Sequence, residues 1–391
     1  MDQINRNVLY KSFFIIWIGH LLLDFMTGIW PVYKTLAHLD LAKAGFIAGI
    51  ALFLGELSQL AFGFLSVRGY HKKLIIVGIL MASSISFLAY SDNYLILFLM
   101  MLITYLGAGA FHPAAAGMVG SWSGGRKGLF LALFSSGGLA GSALSQRVFS
   151  KTFELFNGHT LIFLLPAAGL GLLFYFNSFP PFKFCEKKIT LKRILKWIKP
   201  KRKDLITLYF AQVFIQCVNW SFIFLLPDIL FLRKYESWFC LGGAHFCFVI
   251  GSALMSVPAG VLADRYSIRN VLIVVVLMSV LGFYIFLLSG TLAVLPTSLL
   301  LFCMGGTMGV LNPIIVAAGN GMVPISASSI ISASLMGGAT CIAGFGIMLA
   351  GFMTTLFTHE PPIQALQVIG SIYVAVIFLI FQLSQEGELK T

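Results

Sequence analysis

The chain has 391 residues, 59% of them hydrophobic and only 10% charged, with a mean hydropathy of +0.94. An ordinary soluble protein carries about 25% charged residues, so this composition excludes a soluble globular chain and requires a membrane protein. The net charge of +12 does not mark a nucleic-acid binder, because 10 of the 26 Lys and Arg lie between Lys183 and Lys203 and long stretches elsewhere carry almost none.

A helix crossing a hydrocarbon core of roughly 30 Å needs about 20 apolar residues. Such runs occur near 12–33, 44–67, 74–91, 94–119, 128–150 and 160–177, and again near 205–232, 238–262, 270–289, 293–317, 327–355 and 364–383. The expected fold class is therefore all-α: twelve transmembrane helices in two sets of six, with no sign of the short alternating strands of a barrel. The first run carries His20 and Asp24 and is followed by no small-residue cleavage site, so it reads as a retained helix. Six scattered Cys (Cys185, Cys217, Cys240, Cys247, Cys303, Cys341) form no CxxC pair and no metal-ligand spacing.

With the N-terminus inside, 20 Lys and Arg fall on the cytoplasmic side and six outside (Lys34, Lys43, Arg147, Lys151, Arg233, Lys234). Both termini are thus expected in the cytoplasm of a multi-pass inner-membrane protein. The boundaries expected are 1–178 for a first six-helix bundle, 179–204 for a basic linker and 205–391 for a second bundle. Between Phe182 and Asp204, Leu191, Ile194, Leu195 and Ile198 recur at helical spacing among lysines, the pattern of an amphipathic helix on the inner leaflet of the bilayer.

The halves repeat. "GFLSVRGYHKK" (Gly63 to Lys73) matches "GVLADRYSIRN" (Gly260 to Asn270), Pro31 matches Pro227, and Gly109, Pro113, Gly137 and Gly138 recur as Gly309, Pro313, Gly337 and Gly338. Parallel six-helix repeats are how two-halved secondary transporters are built around a central cavity.

Ionisable groups cost several kcal/mol in hydrocarbon and normally face the bundle interior or water. Those singled out inside the runs are His20, Asp24, Glu56, His112 and His245. Counted from the cytoplasmic helix ends at about 1.5 Å per residue, His20 and His112 lie roughly 12 Å deep, Glu56 roughly 16 Å and Asp24 roughly 18 Å. His20, Asp24 and Gly28 share one stripe of their helix. An imidazole beside a carboxylate suits proton coupling. Each group also has a structural reading: His112 as a hydrogen bond beside Pro113, Glu56 with Gln59 as an interhelical bond, and His245 as packing. Arg147 either snorkels to the interface or guards the outer mouth. The glycine run Gly137, Gly138 and Gly141 reads as close helix packing.

"GVLADR" (Gly260 to Arg265) resembles the loop signature of the major facilitator superfamily. The first copy keeps Gly63, Leu65, Arg68, Lys72 and Lys73 but has Val67 in place of the family's aspartate. "GH" (Gly19–His20), "DFMTGIWP" (Asp24 to Pro31), "GAGAFHPAAAG" (Gly107 to Gly117) and "SSGGLAGSAL" (Ser135 to Leu144) resemble the fosmidomycin resistance protein group. Where that group continues with Gly-Pro, this chain has Ser145–Gln146–Arg147. The resemblance implies helices 1, 4, 7 and 10 around the cavity, with His20, Asp24 and His112 facing Gln216, Asn219 and Asn312. It implies a gating role for Gly63, Arg68, Gly260, Asp264 and Arg265. It also implies proton-coupled efflux of a small anionic or amphipathic compound, as in antiport-driven antibiotic resistance. Uptake of a carboxylate metabolite or siderophore is the alternative, favoured by the missing Gly-Pro. No catalytic residue, cofactor, metal or nucleic-acid partner is expected, and the chain is expected to act as a monomer. A membrane enzyme lacks a nucleophile and base in any loop, a non-transport sensor lacks an added soluble domain, and a passive channel has no use for two loop motifs.

Overall fold

The structure, a computed structural model, describes residues 6–122, 127–180 and 196–384. Among the described residues every regular element is helical. Ten helical runs are long and apolar enough to cross a membrane and one shorter apolar helix covers Thr160–Phe176. The 50-residue run Leu41–Tyr90 is two helices joined at Ser66–Tyr70, where Gly69 takes φ +95°. Twelve apolar helices result among the described residues, and the chain is a multi-pass membrane protein.

The first six are α1 (Arg6–Thr27), α2 (Leu41–Leu65), α3 (His71–Ala82, extended by a 3₁₀ segment Ser83–Tyr90), α4 (Tyr94–Trp122), α5 (Lys127–Leu155) and α6 (Leu164–Phe176). The second six are α7 (Arg202–Leu232), α8 (Ala244–Arg265), α9 (Ile268–Leu288), α10 (Val294–Gly321), α11 (Ile325–Ala333 and Ala339–Met353 around a π turn, Ser334–Gly338) and α12 (Pro361–Gly370 and Ile372–Phe381).

Two elements depart from the sequence reading. The run near 12–33 is not one helix: α1 stops at Thr27, and a short helix, Trp30–Leu36, restarts after a two-residue turn. Gly28 lowers helix propensity and Pro31 removes a donor in the same stretch, whereas its counterpart Pro227 stands inside the unbroken α7. The end of α3 tightens because Ser83 Oγ donates to Leu80 O at 2.7 Å and Ser84 Oγ to Met100 O at 2.9 Å, side-chain bonds that compete with the α ladder. Of the expected amphipathic linker, residues 181–195, with Leu191, Ile194 and Leu195, lie outside the described residues. Ile198 stands in the helical approach to α7.

The chain divides into two compact units. One takes the residues up to Tyr33 and from Ile50 through α6; the other takes Lys34–Gly49 with α7 to α12. In the first unit α1 packs on α5 and α3 on α4; in the second, α7 packs on α11 and α8 on α10. The repeat is visible in the packing itself. A Cβ at Gly55 would meet the Tyr105 carbonyl oxygen at 2.7 Å, and a Cβ at Gly251 would strike that of Phe302. Only glycine permits either backbone approach.

The second basic cluster of each motif copy also has the same job in both halves. Lys72 Nζ donates to the carbonyls of Tyr175 (2.9 Å) and Asn177 (3.1 Å) at the end of α6, and Arg269 Nη2 donates to Phe381 O (2.7 Å) at the end of α12. A cation at a helix C-terminus satisfies orphan carbonyls and complements the dipole.

Candidate functional site

His20 and Asp24 are one helical turn apart on α1, and His112 comes from α4, immediately before Pro113. The first unit brings the three together. His112 Nε2 donates to Asp24 Oδ1 at 3.2 Å, and His20 Nε2 stands 3.4 Å from Asp24 Oδ2. The two imidazoles meet nearly edge-on, with ring centroids 5.2 Å apart. His20 is 7% exposed and its ring stacks on Phe134 at 4.1 Å.

The hydrogen bonds of His20 constrain its chemistry. Its Nδ1 lies 2.8 Å from the Phe134 carbonyl of α5, which can only accept, so Nδ1 carries the hydrogen. In a neutral ring Nε2 is then a bare lone pair aimed at a carboxylate, and two acceptors repel. The arrangement is stable with a proton between the two, carried by Nε2 or by the carboxyl, or with a metal ion there.

Gly138 on α5 makes room for this pair. A Cβ there would collide with Asp24 Oδ2 and would lie 2.6 Å from His20 Nε2. The glycine run of α5 thus has a specific purpose at this position beyond helix approach. Its repeat copy does not share it: a Cβ at Gly338 would meet nothing closer than Tyr209 at 3.6 Å. Gly138→Ala is expected to push the carboxylate off His20 and to reduce transport at least tenfold while the protein still folds. Transport assays beside thermal melts of the purified protein check this, and wild-type transport in Gly138→Ala would remove the close fit from the argument.

Glu56 accepts a bond from Gln59 Nε2 at 2.6 Å. Gln59 stands on the same helix, so this bond of Glu56 is not the interhelical one anticipated from the sequence. Gln216 (7% exposed), Asn219 and Asn312 belong to the second unit. There Asn312 Oδ1 accepts from Gln212 Nε2 at 2.6 Å, tying α7 to α10. His245 is 2% exposed in the first turn of α8. Arg147 is half-buried on α5, which runs unbroken through Ser145–Gln146–Arg147.

Of the gating residues, Gly63 lies near the end of α2 and exposed Arg68 stands in the following turn, 4.2 Å over the Phe64 ring. Gly260 and exposed Arg265 occupy the last turns of α8. The Asp264 side chain lies outside the described residues.

The sequence reading missed a second charged pair. Lys34, counted as an external loop charge, is completely buried in the short helix Trp30–Leu36 and forms an ion pair with Asp228 of α7. Thr35 Oγ1 donates to Asp228 Oδ1 at 2.9 Å, and Lys34 Nζ sits 4.6 Å from the Phe224 ring centroid. Asp228 lies within the run 205–232, one residue after Pro227 and one turn from the run's end, and an acid inside an apolar run was the signal available.

Compared by sequence, the chain matches no family model and no curated protein. Compared by structure, it is similar to a D-xylose–proton symporter (TM-score 0.75, 13% identity, 98% of this chain and 99% of that one). It is also similar to a bacterial homologue of the human lysosomal transporter Spinster in an inward-facing, occupied conformation (0.73, 14%, 95% and 96%). A third neighbour is a mutant of the nucleoside transporter NupG (0.72, 14%, 95% and 99%). The chain therefore shares the fold of these transporters.

Proposed function

We propose that the chain is a secondary active transporter of the bacterial inner membrane that moves a small anionic or amphipathic solute coupled to protons, with His20, Asp24 and His112 as the proton-handling group. The observation that carries this reading is the His20–Asp24 contact. With Nδ1 committed to a carbonyl, Nε2 faces the carboxyl group favourably only with a proton or a metal ion between them, and in a site exposed to each side of the membrane in turn an exchangeable proton fills that role. The likeness to a proton symporter supports it.

Efflux of a drug-like or phosphonate compound follows from the resemblance of α1, α4 and α5 to the fosmidomycin resistance group. One observation favours uptake instead: α5 continues without the Gly-Pro break of that group. The 20-to-6 division of Lys and Arg supports cytoplasmic termini, and a cysteine introduced at Lys199 is expected to label only from the cytoplasmic side. Inside-out vesicles offered a panel of phosphonates, carboxylates and amphipathic drugs, with and without a pH gradient, test the function. Accumulation that requires an acid interior supports efflux, gradient-driven depletion supports uptake, and transport indifferent to the gradient overturns proton coupling.

A further inference from the structure

We infer that His20, Asp24 and His112 form a binding site for one divalent transition-metal ion of the zinc class. Among the described residues this is the one place where ligand atoms of three His, Cys, Asp or Glu side chains all lie within 4.8 Å of one another. The donor set is two imidazoles and a carboxylate, the combination found in zinc sites that keep a fourth position open.

Two of the ligand separations fit a zinc ion as well, while the cluster as a whole spans up to 4.8 Å and would draw in around the ion. Zinc bonds of about 2.0–2.1 Å in a tetrahedron put neighbouring ligand atoms roughly 3.3 Å apart. The two histidine-to-carboxylate separations are 3.2 and 3.4 Å. Asp24 meets the imidazoles through different oxygens, so it would bind through both or swing slightly to present one.

An outer support is already built. Metal-binding histidines typically donate their second ring N–H to a carbonyl or carboxylate, which fixes the tautomer with the other nitrogen free to ligate. His20 does this through Nδ1 to Phe134 O at 2.8 Å. Gly138 is the second support. A Cβ there would stand close to both Asp24 Oδ2 and His20 Nε2, so only a residue without a side chain leaves to the cluster the space where an ion between those atoms would sit. The ligands come from α1 and α4 and both supports from α5, a rigid setting for a preformed site.

With three protein ligands the fourth position is open to water or to a donor atom of a transported anion. This is the pattern of a site that exchanges its ligand, in contrast to the closed shell of a structural zinc. The site is the one proposed above for protons, and the inference rests on that reading of the three residues as an ion-handling group.

The test is binding of Zn²⁺ alone to the full-length, tag-free protein in detergent, followed by titration calorimetry, with Co²⁺ substituted to read tetrahedral coordination from its visible absorption. One equivalent of saturable Zn²⁺ is expected. Asp24→Asn and His112→Gln should each weaken it at least ~100-fold, more than loss of an outer hydrogen-bond partner costs, while His245→Ala in α8 retains it. Thermal melts confirm that each variant is folded. No saturable binding to the wild-type protein, or equal binding by His112→Gln, overturns the inference. Because the readout needs no transport, zinc binding without proton flux counts against the coupling reading alone, and proton flux without zinc binding counts against this site alone.

Discussion

Replacing Asp24 with Asn is expected to abolish transport driven by a pH gradient while leaving a folded protein that still binds and exchanges its solute. Asp24 is the only acid of α1 and the member of the cluster that contacts both imidazoles. An Asn side chain keeps nearly the same volume and can still accept the bond from His112 Nε2, so packing is preserved. It removes the negative charge that makes a cation at His20 Nε2 favourable in surroundings where an uncompensated charge costs several kcal/mol. Cation loading on one side and release on the other then lose their driving partner, and solute movement is uncoupled from the gradient. Proton flux in proteoliposomes decides the matter. Solute-dependent flux that persists in Asp24→Asn would move the coupling role to Glu56 or His112.

Replacing Lys34 with Met is expected to destabilise the protein by about 3–5 kcal/mol, the usual result of leaving one member of a buried ion pair behind. The Lys34 side chain is fully buried and that of Asp228 is 14% exposed, so water screens the pair little. The carboxylate stranded in Lys34→Met would keep the Thr35 hydroxyl as partner and lose its counter-charge. The double variant Lys34→Met/Asp228→Leu removes both charges and should recover most of the stability, because well-packed apolar residues often replace a buried pair without loss. Thermal unfolding in detergent of the two single variants and the double variant forms the cycle that isolates the coupling. Additive losses would mean that the two charges do not stabilise each other.

The helices and their number were legible in the sequence because they answer to local physics. About 20 apolar residues in a row have one stable conformation in hydrocarbon, whatever surrounds them, since the backbone must bond within its own segment. The internal repeat was legible for a related reason: Lys72 and Arg269 keep the same task in the two halves and so keep their places in the two motif copies. His20, Asp24 and His112 could be singled out because charge in an apolar run is costly wherever it occurs.

What these residues do to one another was decided only by the tertiary structure. Asp24 and His112 are 88 positions apart, and Lys34 and Asp228 are 194 apart. No periodicity connects such positions, and which charges meet depends on which helix faces pack together. Lys34 read as a loop charge because its apolar run ends beside it; its burial follows from where the short helix after the Gly28 turn packs. The Phe134 carbonyl and the missing side chain of Gly138 complete the His20–Asp24 site. A backbone acceptor and an absence of atoms leave no mark in composition or hydropathy, and their effect exists only where α5 lies against α1.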